Sequence, residues 1–127
     1  MNTHESYVSL ETAKMLKEAG FDWPCIYGYD AKGKTCYPYD YRYTPWNDGT
    51  TLCCSQPTLA VAQRWLREVK GYSIYVIPGG YKYYVLDNND SCGYGSTYTL
   101  NSTLKYEEAL EAGIQKCLRI LLEENDK

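Results

Sequence analysis

Residues 25–39 read Cys25-Ile26-Tyr27-Gly28-Tyr29-Asp30-Ala31-Lys32-Gly33-Lys34-Thr35-Cys36-Tyr37-Pro38-Tyr39, and the tyrosine at every second place continues through Tyr41 and Tyr43. Asp first and Gly fourth, in Asp30-Ala31-Lys32-Gly33, is the preference of a type I turn. With Gly33 in the left-handed region, that turn becomes a three-residue hairpin loop with a bulge. The register follows: Asp30 faces Lys34, Tyr29 faces Thr35, Tyr27 faces Tyr37, and Cys25 faces Tyr39. Side chains alternate across a strand, so Tyr27, Tyr29, Tyr37 and Tyr39 share one face, which Tyr41 and Tyr43 extend. A two- or four-residue loop would split this face. Residues 24–29 and 34–39 are the expected strands. Pro38 has no N–H for a ladder, so its strand is expected at a sheet edge.

The rest of the chain is built around this hairpin. Three amphipathic helices are expected. The first follows Ser9, a good N-cap, with Leu10, Ala13, Leu16 and Ala19 on one side and Gly20 as its stop. The second follows Ser55, with Pro57 in its first turn and the stripe Leu59, Ala62, Leu66 and Val69 flanked by Trp65. The third runs from about Leu104 to Leu122, with Tyr106, Leu110, Ile114, Cys117, Leu118 and Leu121 inward. A second hairpin runs out over Tyr72–Ile77, turns at Pro78-Gly79-Gly80, and returns over Tyr81–Leu86. Its register puts Ile74, Val76, Tyr83 and Val85 on one face and Tyr75, Ile77, Tyr84 and Leu86 on the other. Both faces are apolar, so cover on both sides, by helices or by a second copy, is expected. Residues 87–96 are polar and glycine-rich and read as a loop, with a short strand at 97–100.

The fold class expected is therefore α+β: a single domain over residues 1–127, with a mostly antiparallel sheet built from two α-β-β units plus a C-terminal helix. Residues 1–6 are expected to be loose and 123–127 to form a polar tail. The units share a local likeness. Leu16-Lys17-Glu18-Ala19 before Gly20-Phe21 parallels Leu66-Arg67-Glu68-Val69 before Gly71-Tyr72.

Composition narrows the function. The chain has 127 residues, a formal charge of −3, 15 Tyr against 1 Phe, and one histidine, His4. A histidine-based triad or metal site has little to build on. The acidic balance disfavours general nucleic-acid binding. No apolar run is long enough for a transmembrane helix. Residues 1–20 do not read as a signal peptide, so a reducing cytoplasm is expected. The six cysteines form no C-x-x-C pair, and free, buried or half-buried thiols are expected, with no metal and no cofactor. Asp87-Asn88-Asn89-Asp90 lacks the Gly and Glu of a calcium loop. Cys92 sits in a loop with no base placed beside it, so a cysteine nucleophile is disfavoured.

Tyrosine keeps a polar tip on a hydrophobic body. The tyrosine face is therefore either a binding surface or a small sheet that uses Tyr as a strand former and lets the hydroxyls reach water. The candidate binding residues are Tyr27, Tyr29, Tyr37, Tyr39, Tyr41, Tyr43, Trp46 and Arg42. The leading expectation is a non-enzymatic protein that contacts another macromolecule or its own copy. A nucleotide binder that stacks a base on Tyr or Trp46 is the alternative, and a cysteine-dependent enzyme comes third.

Three segments, YVSLETAKMLKEAGFDW (7–23), PTLAVAQRWLREVKGYSIYV (57–76) and YEEALEAGIQKCL (106–118), resemble a family of small uncharacterised proteins encoded by bacteriophages and prophages of gut anaerobic bacteria. The resemblance implies an accessory phage product inside a bacterial host cell and carries no functional residue with it.

Overall fold

The computed structural model describes residues 6–37, 44–47, 54–77, 82–88, 95–99 and 106–125. Their contacts group into two units, Met1–Thr58 and Leu59–Lys127. The elements give the α+β fold expected, with one α-β-β succession in each unit and a C-terminal helix.

In the first unit, α1 spans Leu10–Glu18. Ser9 is extended, and its hydroxyl accepts from the Thr12 N–H at 3.3 Å, which satisfies one of the donors a helix start leaves open. Thr12, Ala13 and Leu16 are buried. Gly20, at φ 96°, ends the helix, and Phe21 N–H returns to Leu16 O at 2.9 Å.

The hairpin follows as β1 (Gly28–Tyr29) and β2 (Thr35–Cys36). Gly33 has φ 84° and donates to Asp30 O at 3.0 Å, while Asp30 N–H donates to Lys34 O at 2.9 Å. The Asp30 carboxylate also accepts from Lys32 N–H and Lys34 N–H, at 2.8 and 2.9 Å. This is the bulged three-residue loop, and the pairs Gly28↔Cys36 and Tyr29↔Thr35 have the expected register. A third strand, β3 (Cys54–Ser55), pairs with the other side of β1. Among the described residues the order β2-β1-β3 puts β2 at an edge; Pro38 lies outside the described residues.

The strands are shorter than expected. The chain bends at Ile26, and Cys25 exchanges both of its hydrogen bonds with Thr44. The segment before α1 is tied in as well: Val8 N–H donates to Pro57 O at 3.0 Å and Tyr7 bridges to Thr58.

In the second unit, α2 (Leu59–Trp65) continues into a π-helical turn, Leu66–Lys70, which ends at Gly71 with φ 77°. The helix starts later than its sequence suggests because Cys54 and Ser55 are taken by β3. Leu59, Ala62, Trp65 and Leu66 are buried as expected. Val69 is not: it is 51% exposed, because the wider turn shifts the helical phase after Leu66.

Next come β4 (Tyr72–Ile77), β5 (Lys82–Asp87) and β6 (Gly95–Thr99), antiparallel in the order β4-β5-β6. β6 takes two residues expected in the loop and pairs with β5 from Lys82↔Thr99 to Leu86↔Gly95. The β4–β5 register is the expected one, with Ile74↔Val85, Tyr75↔Tyr84 and Val76↔Tyr83. The turn at Pro78-Gly79-Gly80 lies outside the described residues.

The last element, α3, spans Tyr106–Asn125, three residues beyond its expected end. Ala109, Leu110, Ile114, Cys117, Leu118 and Leu121 are buried. Tyr106 is exposed rather than inward, because it stands at the first helical position, ahead of this buried stretch. Among the described residues no helix is long and apolar enough to cross a membrane.

The two faces of this sheet differ. One carries buried Tyr72, Ile74, Tyr83 and Val85 against α3. On the other, Ser73 is buried and Tyr84 and Leu86 are half-buried, while Tyr75 is 53% and Ile77 41% exposed, so among the described residues the cover expected on both faces is incomplete on this one.

Gly113 sets the distance of α3 from the sheet. A Cβ there would lie 2.7 Å from Ile74 Cγ2 and 3.3 Å from the Tyr83 ring. Alanine would gain about 1 kcal/mol in helix propensity, but crowding a packed core costs about 1–3 kcal/mol. Gly113→Ala is expected to lower the urea unfolding midpoint. A midpoint at or above that of the wild type would refute this account of the packing.

Candidate functional site

The tyrosine face is assembled by the hairpin register. Tyr27 and Tyr37 stand opposite each other, one place beyond the Gly28↔Cys36 pair at the open end of the β1–β2 ladder. Their ring centroids are 5.2 Å apart with planes at 87°, an edge-to-face pair. Tyr7 adds a second such contact, 5.6 Å from Tyr27 at 76°. It is held there by the anchoring of its neighbour: Val8 is fully buried, and its carbonyl accepts from the Tyr29 hydroxyl at 2.6 Å. The result is a row, Tyr7–Tyr27–Tyr37, whose outer members are 40% and 62% exposed.

Of the expected binding residues, the structure brings Tyr27, Tyr29 and Tyr37 together, with different roles. Tyr29 directs its hydroxyl into the fold, whereas Tyr37 stands open to water. Tyr39, Tyr41, Arg42 and Tyr43 lie outside the described residues.

Trp46 is a correction. It is only 9% exposed and belongs to the core, so it offers no face on which a base could stack. Its indole N–H donates to Cys25 O at 3.0 Å. The ring lies on Gly28, where an added Cβ would come within 2.6 Å of it. Asn47 fixes the same loop, donating to Phe21 O at 2.9 Å and accepting from Ser55 N–H at 3.0 Å. A glycine inside a strand is a signal of such close approach. Tyr7 carries no comparable signal, since its place depends on pairing with Thr58, distant in sequence.

Cys25, Cys36, Cys54 and Cys117 form no disulfide; Cys36 is half-buried and the other three are buried. Cys53 and Cys92 lie outside the described residues. Burial pushes the Cys25 thiol up to about 11, against a smaller opposite pull from the Ser55 hydroxyl. Burial, together with the Asp87 and Glu124 carboxylates, pushes Cys117 up to about 12. Both groups thus stay protonated near neutrality, the wrong state for a nucleophile. Among the described residues no three His, Cys, Asp or Glu side chains gather as a metal site would require. Compared with protein-family models, with curated proteins and with solved structures, the chain matches none.

Tyr72 is raised to about 12 by burial, then by Asp87 opposite it in the sheet and by Glu124. The fold thus keeps a phenol and two thiols neutral above their ordinary values of 10.0 and 9.0. That stability is fully present below the unfolded values and is lost as pH rises through the raised ones. Urea midpoints are expected to hold from neutrality to about pH 9 and to fall between about pH 9 and about pH 12. Cys117→Ala should shallow that fall. A midpoint unchanged across this range would contradict the assignment.

Proposed function

We propose that this chain is a non-enzymatic binding protein whose contact surface is the tyrosine face centred on Tyr27 and Tyr37 and extended by Tyr7. The observation that carries the reading is the exposed edge-to-face row. Aromatic pairs of this kind are worth about 0.5–1.5 kcal/mol beyond their burial, so the rings are held in place before a partner arrives. Tyrosine then offers a large contact area with few rotors to freeze, which makes it common among residues that dominate binding energy.

The partner class is a protein, either a host or phage macromolecule or a second copy of this chain. The phage-accessory context and the bacterial cytoplasm belong to the same proposal and rest on the resemblance in the three helical segments. The raised thiols support a non-enzymatic reading, because Cys25 and Cys117 supply no ready nucleophile. The nucleotide alternative loses one of its stacking groups, since Trp46 is buried.

The test is light scattering on the purified protein together with capture from host lysate, comparing wild type with Tyr37→Ala. Losing the edge-to-face contact with Tyr27 should lower the melting temperature by only a few degrees and leave the fold intact. Partner binding or self-association should weaken by about 2 kcal/mol, roughly 30-fold. A wild-type monomer that captures nothing, or a Tyr37→Ala variant that binds equally well, would overturn the proposal. A melting shift on adding nucleotides would move the assignment to the alternative.

A further inference from the structure

We infer that Gln63 holds the outer edge of β4 shut against strand addition by a second copy of the chain. This inference stands apart from the tyrosine face and rests on different residues. Among the described residues β4 is an edge strand, in the order β4-β5-β6. The register fixes which of its backbone groups look outward. Asn88 N–H donates to Gly71 O at 2.7 Å, which makes 71 and 88 a hydrogen-bonded pair. Such pairs alternate with non-bonded ones along an antiparallel ladder. Ser73, Tyr75 and Ile77 therefore bond to β5. The N–H and C=O groups of Tyr72, Ile74 and Val76 point the other way.

The strand reads Tyr72-Ser73-Ile74-Tyr75-Val76-Ile77, with no charge, no proline and no glycine. Six-residue segments of this composition are the ones that add readily to other strands. Native sheets blunt such edges with charges, proline, bulges or a covering element. β4 has no charge or proline, and its pairing with β5 runs without a bulge from Tyr72↔Asp87 to Ile77↔Lys82. It has Gln63 instead. From α2, the Gln63 side-chain amide donates to Ile74 O at 2.7 Å, at the middle of the three outward positions. It occupies the acceptor that an incoming strand would need.

The partner this edge fits is β4 of another copy. Two identical strands paired antiparallel about a two-fold axis are self-complementary. Centred on Ile74, such a pair sets Tyr72 of one copy against Val76 of the other. The side chain at 75 on each copy would then lie diagonally across from its own counterpart.

Gln63→Ala removes the donor and keeps a good helix former. Sedimentation velocity should show its mass rising with concentration above that of the wild type, toward about twice the monomer. Hydrogen exchange should show new protection at the Tyr72, Ile74 and Val76 amides. Adding Tyr75→Lys, at an exposed position, sets two ammonium groups near each other in the pair and should restore the wild-type mass. Circular dichroism checks that the variants fold. Should Gln63→Ala lose the fold, Gln63→Met keeps the length and apolar stem without the amide and carries the same expectations. Unchanged mass in a folded variant, or association without protection of those three amides, would overturn the inference. So would a wild-type chain already protected at those amides in a dimer.

Discussion

Gly33 holds φ at 84°, a backbone state that side chains other than glycine adopt only under strain. Asp30 braces the turn ahead of it, with one carboxylate oxygen accepting from two backbone N–H groups. Together they fix where β2 meets β1, and a slip of one residue would turn every side chain of that strand to the opposite face. Tyr27 meets Tyr37 only because of this register. The third member of the row, Tyr7, is then added by the anchoring of Val8 to Pro57 and Tyr29. The aromatic surface is thus a consequence of turn chemistry a few residues away, not of aromatic attraction alone.

The legible parts of the fold are those whose cause is local. Asp30 and Gly33 carry their turn within four residues, and Ser9 carries the start of α1. The second hairpin reads correctly because each strand alternates, and its register leaves Tyr83 in the core face and Tyr75 outside. Parts whose cause is distant are not legible. Cys54 and Ser55 look like the approach to a helix, yet they form a strand because β1 has a second side to pair. Trp46 looks like an open loop aromatic, yet it is drawn onto Gly28, whose missing side chain leaves room for an indole. The half of the candidate site that is visible in the sequence is therefore the half determined by the turn.

The tyrosine excess resolves into several physical roles. Tyr72 and Tyr83 are buried on the sheet face under α3. Tyr29 spends its hydroxyl on a backbone carbonyl inside its own unit. Tyr37 and Tyr75 present ring and hydroxyl to water. Phenylalanine would keep the ring packing of Tyr72 but lose its hydrogen bond to Glu124, just as it would lose the hydrogen bond of Tyr29 to Val8 O. This variety explains why composition marks the residue type as unusual without saying which copies matter for binding.

The π-helical turn has a meaning for how this chain tolerates change in length. Leu16 to Gly20 is four steps and Leu66 to Gly71 is five, although the residues between are otherwise alike. In the first unit Phe21 returns its N–H to Leu16, and in the second Gly71 itself returns to Leu66. The wider turn takes up the additional residue where it occurs. Leu66 and Tyr72 remain in the core on either side, and Val69 alone among the apolar residues of that segment is turned toward water. A helix end built this way acts as an expansion joint: one residue more is accommodated within a single turn, and the strand that follows keeps its phase.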